Sequence, residues 1–232
     1  MRFAILLTFL IFFGTFLAGR LAYLYLADAK RFPINTVKVA ASYAHISHQQ
    51  LEAVLSNHLK ESFFSLSVNR LQNELNEINW TDTVYVERVW PDILKIKIVE
   101  KKPVALWNGS LMTETGKLFQ QGVTTFDVDV PKLKGPASQQ MEVLQVYKKL
   151  SKILLSYGLK TTGLHLSENQ SWILVLGDNT KIYLGKKELS ARLKRFCKAY
   201  PAVFAQKAEQ LASVDLRYPR GMAVQWKQQT EQ

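Results

Sequence analysis

Residues 84–107 read VYVERVWPDILKIKIVEKKPVALW, and the organisation of the whole chain follows from them. The first part alternates, with Val84 and Val86 pointing one way and Tyr85 and Glu87 the other, the period of a half-buried strand. Trp90-Pro91-Asp92 interrupts it, because proline has no amide hydrogen for a ladder and presets the backbone of a turn. Alternation then resumes, with Leu94, Ile96 and Ile98 on one face and Lys95 and Lys97 on the other. The pattern predicts a β-hairpin with one apolar face and a packed Trp90 indole at its turn. Beyond Pro103 the chain runs on into a further strand. The second arm of the hairpin therefore closes one module and launches the next.

Upstream, residues 36–40 (TVKVA) read as a short strand. Ser47 is a good N-cap for a helix running to about residue 59, with Leu51, Val54, Leu55 and Leu59 on one stripe. A turn at Ser62-Phe63-Phe64 follows. Ser67 caps a second helix with Val68, Leu71, Leu75 and Ile78 aligned. The order over residues 32–102 is β-α-α-β-β, two helices able to cover one face of a three-stranded sheet. Residues 3–26 are almost wholly apolar, interrupted by Arg20, and exceed the twenty or so residues that cross a bilayer if Arg20 snorkels to the interface. Tyr23 and Tyr25 sit where an aromatic belt would. A cleaved signal peptide competes with this reading, since Met1-Arg2 is a basic start and Ala27-Asp28-Ala29 has the small-x-small form. The length of the apolar run favours an uncleaved anchor preceded by a tail of residues 1–2.

Downstream, residues 103–228 form a second module. Asn108-Gly109 and Thr115-Gly116 are turn signals between short strands. Residues 127–136 read as irregular, with two prolines. Residues 139–157 form the longest helix after the anchor, with Val143, Val146, Tyr147, Leu150, Ile153, Leu154 and Tyr157 inward and Gly158 ending it. Strands at 163–166, 172–176 and 181–184 follow. A helix over 187–200 buries Leu189, Leu193, Phe196, Cys197 and Tyr200 and is stopped by Pro201. Its outer face carries Arg192, Lys194, Arg195 and Lys198, read as a solvated face that adds electrostatic steering. A last hairpin pairs 213–218 with 222–226, and residues 229–232 are a loose tail. The fold class is α+β: a transmembrane helix, a β-α-α-β-β domain, then a mostly antiparallel β domain with two helices.

The net charge of +11 is uneven. Residues 32–128 hold 9 Lys+Arg against 10 Asp+Glu, whereas residues 129–232 hold 17 against 8. An acidic protein partner or a membrane surface fits the second module better than nucleic acid, which an exported domain does not meet. Cys197 is the only cysteine, so the chain forms no intramolecular disulfide. No nucleophile elbow, phosphate loop or Ser-x-x-Lys motif is present. His45, His48 and His58 cluster around the first helix and read as solvated rather than metal-binding, and Glu74 and Glu77 as ordinary charge decoration. The expectation is a protein that is not an enzyme and uses no metal or cofactor.

The candidate binding feature is the terminal hairpin. A last strand is often a sheet edge with unpaired backbone groups open to another chain's strand. Residues 222–226 (MAVQW) lack the charge or proline that usually blunts such an edge. Arg217 and Arg220 can hold carboxylates as forks. Tyr218 and Trp226 are interface-anchoring types, or else they complete the core.

Four stretches carry a family resemblance: INW at 78–80, the hairpin at 86–107, GKLF at 116–119, and VDLRYPRGMAVQW at 214–226. Together, and following an N-terminal anchor, they resemble the bacterial FtsQ/DivIB cell-division proteins, whose first exported domain is a POTRA domain. The resemblance covers residues 30–228. It implies a single-pass inner-membrane protein of the division septum, its N-terminus cytoplasmic and its bulk periplasmic, scaffolding the divisome without catalysis. It implies that the terminal strand receives a strand from FtsB, which arrives bound to FtsL, and that other divisome proteins meet the POTRA-like domain. Carried over by motif, Arg217, Tyr218, Gly221, Met222, Ala223, Val224 and Trp226 contact that partner, with Gly221 allowing close backbone approach. Two rival readings remain. One is a POTRA-containing assembly or secretion factor of the envelope; the other is an anchored cell-wall hydrolase or binder, which needs a cleft with poised acids.

Overall fold

The computed structural model describes residues 2–119 and 129–227. The expected tail at 229–232, and residues 127 and 128 of the stretch expected to be irregular, lie outside the described residues. The chain divides into two compact units, Met1–Lys101 and Lys102–Gln232.

The first unit opens with helix α1 (Arg2–Leu26). Its span Thr8–Leu26 is long and apolar enough to cross a membrane. Strand β1 (Thr36–Ala40), helices α2 (His48–His58) and α3 (Val68–Asn76), and strands β2 (Thr81–Val89) and β3 (Ile93–Glu100) follow. The β-α-α-β-β order is thus observed, with the sheet ordered β1-β3-β2. Strand β3 lies centrally because its alternation puts Leu94, Ile96 and Ile98 in the core and leaves Lys95 and Lys97 in water. β1 pairs with it in parallel and β2 antiparallel. Both helix starts carry the expected caps. Ser47 forms a reciprocal capping box with Gln50, and the Ser67 side chain accepts the Arg70 amide.

Four expectations for this unit fail. Helix α2 ends at His58, so Leu59 leaves the helical stripe and is exposed, while His58 itself is only 2% exposed. Its Nε2 lies 2.8 Å from Glu74 Oε2 and its Nδ1 3.6 Å from Glu61, so His58 is not solvated and Glu74 is not mere decoration. His45 stacks on the buried Trp80, centroids 3.7 Å apart. The Trp90 indole, expected to pack, is 77% exposed, because the hairpin tip projects past the sheet.

Glu100 ends β3 as a cap for the 42–45 loop. It accepts the amides of Ala44 (3.1 Å) and His45 (3.0 Å) and lies 3.2 Å from His45 Nδ1. Burial pushes its carboxyl pKa up, but hydrogen bonds from the Ser42 and His45 side chains and from the two amides outweigh that and hold it below the usual glutamate value. A carboxyl lowered in this way stabilises the fold above its unfolded pKa, and that stability is lost as the pH falls through the folded value. Glu100→Gln is therefore expected to flatten the acid limb of stability, and to cost about 1–2 kcal/mol at neutral pH. Urea unfolding of both proteins from about pH 7 to about pH 3 checks it; parallel acid limbs would contradict it.

The second unit holds strands β4 (Pro103–Trp107), β5 (Ser110–Thr113), β6 (Leu118–Phe119) and β7 (Lys132–Lys134), helix α4 (Gln140–Leu155), and strands β8 (Thr161–Leu166), β9 (Trp172–Leu176) and β10 (Lys181–Gly185). Helix α5 (Leu189–Val203), a 3-10 turn (Ala205–Gln210), and strands β11 (Leu211–Asp215) and β12 (Ala223–Trp226) complete it. All nine strands form one mixed sheet, ordered β12-β11-β10-β9-β8-β7-β4-β5-β6. Five of its eight pairings are antiparallel, and β4-β7, β7-β8 and β10-β11 are parallel. The β4-β5 turn has Asn108 and Gly109 both at positive φ, the two-residue hairpin geometry that Asn-Gly favours.

Two corrections concern this unit. The stretch expected to be irregular contains β7, a strand interior to the sheet, whose Leu133 is fully buried between two lysines. β8 comes so close to it that a Cβ on Gly163 would lie 2.6 Å from the Lys132 carbonyl oxygen. Pro201 does not stop α5 but lies inside its last turn. Proline there forfeits one amide, and the Phe204 amide still closes onto the Tyr200 carbonyl at 2.9 Å. One core joins α4 and α5 to the sheet through Val143, Leu150, Leu154, Leu174, Ile182, Leu193, Phe196, Phe204 and Val214. Cys197 belongs to it, its thiol pushed up to about 11 by burial, as expected of a structural cysteine. Leu144 is buried although it was not on the expected stripe, and Tyr157, expected inward, is exposed.

Candidate edge-strand interface

β12 forms because residues 223–226 alternate beside a fully formed strand, with Val224 packed against the core and Ala223 and Gln225 in water. It pairs antiparallel with β11: Asp215 faces Ala223, Val214 faces Val224 and Ser213 faces Gln225, while Ala212 is accommodated by a register shift. β12 has no neighbour on its other side among the described residues. The Lys227 amide donates inward to the Gln210 carbonyl at 2.7 Å. Backbone polar groups alternate in direction along a strand, so Ala223 and Gln225 also face β11. Val224 and Trp226 consequently turn their N–H and C=O groups outward. The open edge offers those groups to another strand.

The turn ahead of the strand is held from below. Arg195 of α5 donates from Nη1 to the Pro219 carbonyl (2.9 Å) and from Nη2 to the carbonyls of Leu216 (3.0 Å) and Tyr218 (2.9 Å). Arg192 donates to the Leu184 carbonyl at 2.7 Å. Neither arginine is part of a merely solvated face, which corrects that expectation; Lys194 and Lys198 are exposed as expected. Arg195 was the residue missed as part of the site. The one hint in the sequence was its position bordering the buried stripe of α5.

The other expected residues are placed as follows. Arg217 is already engaged within its own chain: Nε lies 2.9 Å from both Asp215 carboxylate oxygens and Nη2 lies 2.6 Å from Oδ2. Hydrogen bonding from Arg217 is the main cause that holds the Asp215 carboxyl below its usual range. Arg220 is exposed and makes no hydrogen bond or ion pair among the described residues. Tyr218 is 56% exposed and Trp226 40%, the latter with its ring 6.3 Å from Phe204. Tyr218 thus does not complete the core, and Trp226 does so only in part. Met222 packs against the core from the start of the strand. Gly221 is exposed, with nothing within 4 Å of where a Cβ would stand, so no neighbour within the chain requires a glycine there.

Away from this edge, a cavity of about 820 Å³ is lined by Lys132, Lys134, Lys160, Lys181, Tyr147 and His165 among others. Burial, helped by Lys134, pushes the His165 imidazole pKa down. Among the described residues Asp129 is the one carboxylate in that lining, whereas glycoside hydrolysis generally works with two. The described residues hold no cluster of three potential metal ligands.

Comparison with known proteins agrees with this architecture. Residues 32–101 match the family "POTRA domain, FtsQ-type", and residues 105–217 match "Cell division protein FtsQ/DivIB, C-terminal". The chain is 32% identical to cell division protein FtsQ of Coxiella burnetii, over 94% of this chain and 89% of that protein. It is 30% identical to the FtsQ of Shewanella oneidensis, over 92% of this chain and 82% of that protein. Against the FtsQ of Cellvibrio japonicus it is 30% identical over 86% of its length and spans 62% of the relative. With a POTRA-type unit followed by a sheet whose terminal strand lies at an open edge, the chain belongs to the FtsQ/DivIB family of cell-division proteins.

Proposed function

We propose that this chain is a membrane-anchored divisome scaffold that captures FtsB, carried with FtsL, by adding a strand of FtsB to β12. Membership of a non-enzymatic division family supports the scaffold role. The single observation behind strand capture is the open β12 edge, with the outward backbone groups of Val224 and Trp226. In this reading Tyr218 and Trp226 supply side-chain contact beside the added strand, Met222 and Ala223 lead into it, and Gly221 leaves room for the approaching backbone. Arg217 contributes through its pair with Asp215, which sets the exit of β11. The anchor is residues 3–26, with the N-terminus cytoplasmic and the two exported domains, 32–102 and 103–228, periplasmic at the septum. The POTRA-type domain is the further recruiting surface. No metal or cofactor enters this function.

The test is capture of the same organism's FtsB/FtsL pair by the chain from residue 30 onward, with Tyr218→Ala and Trp226→Ala alongside. Wild-type binding is expected, with at least about tenfold weaker binding for each variant, as for interface aromatic anchors. Both variants are expected to keep the wild-type circular dichroism, since neither ring is fully buried. A wild type that fails to bind, or variants that bind equally well, would remove the terminal hairpin from this role.

A further inference from the structure

Four large apolar side chains of the first unit beyond α1 are exposed: Leu59, Phe64, Tyr85 and Trp90. Three of them, Leu59, Phe64 and Trp90, lie in two loops, the 59–65 turn and the β2-β3 hairpin tip. Both loops are tied to the segment that leaves α1. The Ser62 hydroxyl donates to the Leu26 carbonyl at 2.7 Å, and the Phe63 amide donates to the Phe32 carbonyl at 2.8 Å. Phe32 contacts Tyr25 and Phe64 edge-on, with centroids 5.8 and 5.0 Å apart. The hairpin tip joins the same group of contacts. Arg88 donates to the carbonyls of Phe63 and Phe64, and Asp92 accepts the amides of Asn35 and Thr36.

The height of this group follows from α1. A 25-residue helix is about 38 Å long, roughly 8 Å more than the hydrocarbon core. Arg20 sits over the Tyr23 ring at 5.8 Å, and Tyr25 lies under the Arg31 guanidinium at 4.5 Å. Aromatic rings paired with snorkelling arginines mark the headgroup level. The turn bonded to Leu26, and the hairpin tip bonded to that turn, therefore start at the bilayer surface. A bare indole there has the amphipathic body that partitions into the interface.

We propose that the Trp90 hairpin tip and the Phe64 turn form a lipid-contacting foot, which sets the POTRA-type unit against the outer surface of the membrane that α1 crosses. The occupant is the phospholipid interface: the indole and the Phe64 ring enter the headgroup layer, and Lys30 and Arg31 meet its phosphates. The inference rests on reading α1 as the membrane span.

The full chain in nanodiscs of phosphatidylethanolamine and phosphatidylglycerol tests it, with Trp90→Phe as the companion protein. Fluorescence of wild type minus Trp90→Phe isolates one indole among five. In discs whose lipids carry bromine high on the acyl chain, that difference signal is expected to be largely lost, while aqueous iodide leaves it nearly unchanged. A Trp90 signal quenched by iodide and untouched by bromine would overturn the foot while α1 remains an anchor. A chain that does not stay with the discs would overturn both readings. Since Trp90 is exposed, Trp90→Phe is expected to match the wild-type thermal melt, and a shifted melt would instead assign the indole to packing.

Discussion

Val224→Pro is expected to weaken partner capture about 100-fold while leaving the protein folded, whereas Gln225→Pro one residue on is expected to unravel the terminal hairpin. Proline removes one amide hydrogen and fixes φ, so its effect depends on which way that amide points. At Val224 the N–H faces outward and takes no part in the β11 pairing; at Gln225 it faces Ser213. Edge strands tolerate proline on their solvent side for this reason. An added strand would lose the bond from Val224, and its own carbonyl would be left against a ring. About 2.7 kcal/mol, the equivalent of 100-fold, is within the cost of one unsatisfied group plus that collision. Val224 is also partly buried against the core, so a loss of about 1 kcal/mol in stability accompanies the change. Titration calorimetry against the FtsB/FtsL pair, with circular dichroism on the same samples, reads both quantities. Undiminished binding by Val224→Pro would exclude a backbone-paired edge, even if the Tyr218 and Trp226 variants fail to bind.

The POTRA-type unit was legible because its hairpin alternates without a break over Leu94, Ile96 and Ile98, and because Ser47 and Ser67 sit at true caps. The terminal edge was legible for a similar reason: five residues with neither charge nor proline end the last hairpin. What escaped the sequence was set by long-range partners. Lys132-Leu133-Lys134 has one apolar residue between prolines, and only its parallel pairing with β4 and β8 makes it a strand. His58 falls on the stripe of Leu51 and Leu55, but as a histidine it reads as solvated, and the Glu74 that pairs with it lies 16 residues on. Trp90 reads as core by residue type, yet it stands on a tip that no helix covers. Pro201 is a strong breaker in general, but in a last turn it forfeits little. Periodicity reports which face is buried; it is silent on what a polar side chain finds across the fold.

Arg195 is where that silence matters most, and Arg195→Ala is expected to lose about 2–4 kcal/mol of stability and at least tenfold in partner capture. Its guanidinium serves three carbonyls, of Leu216, Tyr218 and Pro219, at 2.9–3.0 Å, in the turn that delivers β12. A charged donor to a carbonyl contributes more than a neutral one, and the planar fork reaches all three without reorganising. Without it the Arg217–Asp215 pair and the packing of Leu216 and Met222 at either end of the turn remain, and Tyr218 between them and the edge beyond lose their fixed position. Arg195→Lys is expected to recover less than half of the stability, because an ammonium keeps the charge but not the fork. If the lysine variant restored binding in full, charge toward an acidic partner would explain Arg195 better than support of the turn. Combining Arg195→Ala with Val224→Pro separates the two further. A turn that acts by presenting the edge adds little to a loss the proline has already caused, whereas an independent charged contact adds its full effect.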